Sequence, residues 1–72
     1  MPRRTLVKLQ INGEEKEWPE GLSIAELLRR LELLQSPVAV EVNEAVVRRA
    51  HHHEHVLQPG DKIEIVTFVG GG

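Results

Sequence analysis

Three glycines close the sequence, Gly70, Gly71 and Gly72, directly after a strand-like run at 63–69. Glycine has no side chain and loses more backbone entropy on ordering than any other residue, so the triplet predicts a thin, mobile extension. Such an extension would present the terminal carboxylate of Gly72 to an enzyme's narrow channel, with Gly70 and Gly71 recognised along the way. The predicted chemistry is modification of that carboxylate. The alternative is a frayed end without a role, because chain termini are commonly disordered.

A histidine-rich segment at 51–55, His-His-His-Glu-His, also carries side chains capable of chemistry. On one helical turn His51 and His55 would share a face, and neutral imidazole is a common metal ligand. The segment lies in a predicted loop, however, without cysteine partners or an H-E-x-x-H arrangement. We interpret it as an exposed polar loop and expect no metal site. No Ser/His/Asp arrangement is evident, so we expect no catalytic residues and no enzymatic activity.

Size and composition restrict the classes of protein that fit. Seventy-two residues make one small domain, and the absence of cysteine excludes disulfides and thiolate zinc sites. A net charge of −2 argues against a nucleic-acid binder, which usually carries a basic face. No apolar run approaches the length of a membrane span or a signal-peptide core. We therefore expect a soluble, cytoplasmic protein that binds neither nucleic acid nor membrane.

The first half of the chain predicts a hairpin followed by a helix. Residues 5–11 alternate between apolar and polar side chains, Asn12-Gly13 is a strong signal for a type I′ turn, and residues 15–18 form the return strand. Ser23 and Glu26 have the spacing of a capping box at a helix N-terminus. Pro37 ends the helix. The predicted buried face of the helix consists of Ile24, Leu27, Leu28, Leu31 and Leu34.

The second half predicts further strands. Residues 38–43 alternate with three valines inward, 45–47 form a short strand, and 48–57 are irregular or one helical turn. Pro59 and Gly60 mark a turn before a last strand at 62–68. The ββαββ order predicts an α+β fold, with one helix packed on one face of a mixed sheet. We expect a single domain over residues 1–69 and a flexible tail over 70–72.

The last strand also predicts a binding surface. Alternation places Ile63, Ile65 and Thr67 on one face and Glu64, Val66 and Phe68 on the other. Aromatic residues are over-represented among binding hot spots, so we predict that Val66, Phe68 and Val69 contact partners next to the tail. The alternative is that Phe68 closes the core. For Trp18, near the end of the hairpin, we expect packing in or at the rim of the core.

These features together resemble the ThiS family, the small ubiquitin-like sulfur carriers of thiamine biosynthesis. The resemblance rests on the element order, the Val-Ala-Val-Glu-Val-Asn run at 38–43, the Leu-Gln-Pro-Gly-Asp turn at 57–61 and the triglycine ending, and it covers the whole length. It implies a β-grasp (ubiquitin-like) fold in which the first and last strands lie side by side at the centre of the sheet. It also implies that Gly72 is the residue that carries sulfur.

The resemblance further implies a set of partners. A ubiquitin-activating-like adenylyltransferase would use ATP and magnesium to adenylate Gly72, sulfide from a persulfide donor would displace AMP, and thiazole synthase would receive the sulfur. The carrier itself would bind no cofactor. Two alternatives stay open: a related carrier that delivers sulfur to molybdopterin or to a tRNA base, and a ubiquitin-like modifier or structural domain that carries no sulfur.

Overall fold

The computed structural model describes residues 5–68. Its elements follow the predicted order along the chain. They are β1 (Leu6–Ile11), β2 (Glu14–Pro19), α1 (Ile24–Arg30), β3 (Val38–Val42), β4 (Ala45–Val47), a 3₁₀ turn (Arg49–His51) and β5 (Lys62–Thr67). The short strand β4, predicted at 45–47, is an edge strand of the sheet beside the four strands of the ββαββ order. Across residues 5–68 there is no helix of the length and hydrophobicity that a membrane span requires.

The strands form one five-stranded mixed sheet in the order β2-β1-β5-β3-β4. The first and last strands are neighbours at its centre and run parallel, with Ile11 opposite Ile63. The other strand pairs are antiparallel. The α+β class and the central pairing of the first and last strands are therefore confirmed.

The predicted turns have the backbone geometry that their residues favour. Asn12 and Gly13 both adopt positive φ, 51° and 84°, as a type I′ turn requires. Gly60 has φ of 85° in the turn before β5. The side chain of Asn43, at the end of β3, donates to the Asp61 carboxylate over 2.9 Å and accepts from the Lys62 N–H over 3.0 Å. The two internal segments that carry the family resemblance are thus in direct contact.

Helix α1 begins as predicted. The Ser23 hydroxyl accepts from the Glu26 N–H over 3.1 Å, and the Glu26 carboxylate accepts from the Ser23 N–H over 2.9 Å. The backbone hydrogen bond to Ser23 holds the pKa of Glu26 below its ordinary value of 4.5. The capping box is confirmed.

The helix ends earlier than the spacing of leucines predicts. Its last residue is Arg30, and Glu32 adopts φ of 62°. The Leu33 N–H donates to the Leu28 carbonyl over 2.7 Å, and the Glu32 N–H donates to the Arg29 carbonyl over 3.0 Å, which is a Schellman motif. Leu31 and Leu34 therefore pack on the core from the loop, and the prediction that they continue the helical face is wrong.

The core lies between α1 and the inner face of the sheet. Its most completely buried side chains are Leu9, Ile24, Leu27, Val40 and Ile63. They come from β1, α1, β3 and β5, and the alternation predicted for the strands is what directs them inward. The opposite face of the sheet has no helix against it among residues 5–68.

Candidate functional site

The predicted site lies where β5 leaves the sheet. β5 ends at Thr67, and the Phe68 N–H still donates to the Pro37 carbonyl over 3.0 Å. Val69, Gly70, Gly71 and Gly72 lie outside the described residues, so the predictions for them remain predictions. The structure nevertheless shows the surface from which they extend.

Side chains on β5 point as the alternation predicts. Ile63 and Ile65 are buried, whereas Val66 and Phe68 are 55% and 56% exposed on the opposite face. Phe68 therefore does not close the core. Val66 lies opposite Ala39 of β3, so the outer face is apolar beside the root of the tail. That this face binds partners is still a prediction.

Next to this apolar surface lies a pair of acidic residues. Glu41 and Glu64 are directly opposite each other on β3 and β5, on the same face as Val66. Neither has a cation within ion-pair distance among residues 5–68, where the salt bridges are Lys16–Glu14 and His51–Glu54. Like charges facing each other across a sheet are destabilising. This pair is not predictable from the sequence, because it depends on the register between two strands.

The histidine segment differs from its interpretation as an exposed polar loop. His52 is only 4% exposed, and its Nε2 lies 2.9 Å from the Val47 carbonyl. The carbonyls of His52 and His55 accept from the first N–H groups of α1, those of Ala25 and Ile24. These donors have no partner within a helix, so the segment caps α1 through its backbone.

His51 and His53 are exposed, as expected, and His51 Nδ1 lies 3.1 Å from the Glu54 carboxylate. Residues 5–68 contain no group of three His, Cys, Asp or Glu side chains that could hold a metal ion. The backbone hydrogen bonds from His52 and His55 to α1 give the segment a role in the fold. This role depends on the proximity of the segment to the N-terminus of α1, which the sequence does not reveal.

A groove opens on the helix side of the sheet, also beside the end of β5. Its volume is about 380 Å³, and Trp18, Leu31, Leu33, Ile65 and Thr67 are among its lining residues. Trp18 packs against the core from its rim, as predicted. Its Nε1–H is buried and has no acceptor among residues 5–68. No pattern in the sequence predicts this groove.

A mixed sheet with adjacent parallel first and last strands and one helix on one face defines this protein as a β-grasp domain, the ubiquitin-like class. The crystal structure of the thiamine biosynthesis protein (ThiS) from Geobacter metallireducens has this arrangement. It superposes with a TM-score of 0.78 at 33% sequence identity, over 92% of this chain and 100% of that one.

Sequence comparison leads to the same family. The profile of the ThiS family matches residues 4–72. The sulfur carrier protein ThiS of Bacillus subtilis is 40% identical over 65 residues, covering 89% of this chain and 98% of that protein. The chain therefore belongs to the ThiS family, whose members are sulfur carriers of thiamine biosynthesis.

Two further relatives are considerably longer. Thiazole synthase of Paramagnetospirillum magneticum is 39% identical and that of Magnetococcus marinus 42% identical, each over 66 residues and 92% of this chain. The chain spans only 20% of the length of either protein. Each of these synthases thus contains a segment that is similar to most of this chain.

Proposed function

We propose that this protein carries sulfur as a thiocarboxylate on Gly72 and delivers it to thiazole synthase for the thiazole part of thiamine. The observation that carries the proposal is the family match, which continues through the glycine tail to residue 72. The structure supports it by placing the exposed Val66 and Phe68 beside the root of that tail. The chain acts as a protein substrate, and the catalytic groups belong to its partners.

The chemistry requires activation before sulfur is attached. A terminal carboxyl has a pKa of about 3.5, so it is ionised at neutral pH and is a poor electrophile. Its oxygen attacks the α-phosphorus of ATP, and pyrophosphate leaves. Sulfide then attacks the acyl carbon of the adenylate, AMP leaves, and the thiocarboxylate remains. This route replaces one difficult substitution by two easier ones.

Each partner supplies what the carrier lacks. The adenylyltransferase would provide ATP, magnesium and the charge stabilisation at the phosphates, because this chain has no phosphate-binding loop. A persulfide donor would provide the sulfur, because this chain has no cysteine on which to hold it. A thiol of the donor system would attack the persulfide, release sulfide and form a disulfide, which supplies the two electrons. The support for thiazole synthase as acceptor is that two synthases contain a segment similar to this chain.

The exposed face of β5 is the proposed contact surface for these enzymes. Val66, Phe68 and Val69 precede the glycines directly, so an enzyme that holds them also positions the tail. Gly70 and Gly71 would pass through the enzyme's channel, where a side chain would obstruct them. The adenylyltransferase and thiazole synthase must therefore use this surface in turn.

Truncation of the tail tests the proposal. Deletion of Gly72, or replacement of Gly71 by Trp, should abolish ATP–pyrophosphate exchange by the adenylyltransferase from the same organism. Thermal stability should not change, because a terminal segment contributes little to the fold. Arg30→Ala, an exposed substitution at the end of α1, serves as the matched control and should be adenylated normally.

The mass of the protein isolated from its native cells provides an independent test. Exchange of oxygen for sulfur adds about 16 Da, which should be confined to the C-terminal peptide and separable from oxidation of Met1. Adenylation of the truncated form at the wild-type rate, or a terminal peptide that never gains this mass, would refute the carrier function.

A further inference from the structure

The two edges of β5 differ in how their backbone groups are satisfied. The Asn43 N–H donates to the Lys62 carbonyl over 2.7 Å, and the Phe68 N–H donates to the Pro37 carbonyl over 3.0 Å. In an antiparallel pair of strands, hydrogen-bonded residue pairs alternate with non-hydrogen-bonded ones. These two bonds therefore determine which residues of β5 are hydrogen-bonded to β3. Even-numbered residues of β5 pair with β3. Odd-numbered residues direct their N–H and C=O groups towards β1.

Strand β1 satisfies only the first part of that edge. The Asn12 N–H donates to the Ile63 carbonyl over 2.9 Å, and the Asn12 side-chain oxygen accepts from the Ile65 N–H over 2.8 Å. The chain then turns away at Gly13. Among residues 5–68, nothing pairs with the Ile65 carbonyl or with the N–H and C=O of Thr67. Among the described residues, the edge of β5 at Ile65 and Thr67 is therefore free, next to the root of the tail.

This free edge borders the groove that Trp18 lines. Ile65 and Thr67 line the groove together with Trp18, Leu31 and Leu33. The groove thus offers an apolar surface beside a row of main-chain groups that are free among residues 5–68. A strand edge of this kind is a template for strand addition.

We propose that the free edge of β5 at Ile65 and Thr67, with the groove beside it, binds an extended segment of thiazole synthase. The segment pairs with β5 as an added strand and places an apolar side chain in the groove between Leu31 and Leu33. An extended peptide is the occupant that satisfies main-chain donors and acceptors at the two-residue spacing of a strand. This inference rests on the proposed function.

The position of the edge would allow an added strand to orient the tail. Thr67 lies five residues before Gly72, and five extended residues reach at most about 17 Å. A synthase strand that pairs with Thr67 would hold the root of the tail and orient it towards an active site within that distance. The outer-face residues Val66 and Phe68 would remain free to make other contacts, because they lie on the opposite side of the sheet.

A pair of substitutions at one position isolates the main-chain contribution. Thr67→Pro removes the free N–H, which β3 does not use, and proline is tolerated at strand edges. Thr67→Ala changes the side chain and keeps the N–H. Calorimetric titration with purified thiazole synthase should show binding at least threefold weaker for Thr67→Pro than for Thr67→Ala. Thermal melts should confirm that both variants are folded.

A second variant and a second measurement remain informative if Thr67→Pro does not fold. Trp18→Phe makes the apolar lining of the groove smaller, so it should weaken binding by about threefold to tenfold in the folded fraction, which thermal melts measure. In the wild-type complex, hydrogen exchange of the Thr67 amide should slow by at least tenfold. The Val66 amide, already paired with β3, serves as the internal control.

The outcomes separate this inference from the proposed function. Equal affinity of Thr67→Pro and Thr67→Ala, with unchanged Thr67 exchange in the wild-type complex, would overturn the strand-addition site and leave the carrier function intact. Protection of Thr67 by the adenylyltransferase but not by the synthase would overturn the assigned occupant. A wild-type protein that binds neither enzyme would refute both proposals.

Discussion

Asn12 is a single residue that connects a local turn to the distant strand that precedes the tail. Its φ of 51° is in the left-handed region, and its side-chain oxygen accepts from the Ile65 N–H, 53 positions along the chain, over 2.8 Å. Three substitutions separate the two roles. Asn12→Asp keeps an acceptor, Asn12→Gly keeps only the permitted backbone conformation, and Asn12→Ala keeps neither.

The structure determines the expected order of stabilities. Loss of the hydrogen bond in Asn12→Gly should cost about 1 kcal/mol, and glycine adopts the turn without strain. Asn12→Ala loses the same bond and also places a Cβ in the left-handed region, which adds about 1–2 kcal/mol. Asn12→Asp should remain within about 0.5 kcal/mol of wild type, because the acceptor is retained.

Urea denaturation followed by circular dichroism measures these differences directly. In a domain of this size, a loss of about 1 kcal/mol lowers the melting temperature by roughly 4–8 °C, so thermal melts provide a second readout. Wild-type stability for Asn12→Gly would show that the long-range bond contributes nothing. Equal stability of Asn12→Gly and Asn12→Ala would refute the argument from the left-handed conformation.

Three further predictions concern the core, the outer face and the helix cap. Leu28→Ala should lower the free energy of unfolding in urea by about 2–5 kcal/mol, because Leu28 is only 3% exposed. Leu31→Ala should lower it less, because Leu31 is only half-buried. Equal losses for the two variants would contradict this. Phe68→Ala should change the free energy of unfolding by no more than about 1 kcal/mol. In calorimetry it should weaken binding to thiazole synthase by about 1–3 kcal/mol. Unchanged affinity would place the contact surface elsewhere. The hydrogen bond to Ser23 lowers the pKa of Glu26 in the folded state. The ionised carboxylate therefore stabilises the protein above pH 4.5, and this stabilisation is lost as the pH falls through the folded pKa. The stability advantage of wild type over Glu26→Gln should therefore shrink in melts between about pH 6 and pH 3, and an advantage independent of pH would disprove the linkage.

Local interactions explain which parts of the fold could be predicted. The type I′ turn at Asn12-Gly13 and the capping box of Ser23 and Glu26 each depend on residues within four positions of one another. The inward and outward faces of β3 and β5 follow from alternation, which is a property of any strand. The orientation of Val66 and Phe68 was predictable for this reason.

The end of α1 and the role of the histidine segment were not predictable in this way. The leucine spacing continues past Arg30, but Leu33 packs on the core and its N–H bonds to the Leu28 carbonyl, which places Glu32 at positive φ. His52 is buried because its loop packs against the helix N-terminus. In both cases a tertiary contact outweighs a local preference.

The sequence by itself determined the family and the strand faces and predicted the chemistry of the tail, because residue types and short-range periodicity carry that information. Only the tertiary structure decided which backbone groups of β5 are left free and what surrounds them. That answer depends on where β1 ends relative to β5, strands about 50 residues apart whose register is set by packing across the sheet. The groove at Trp18 and the facing pair Glu41 and Glu64 arise in the same way, from residues that meet only when the sheet has formed.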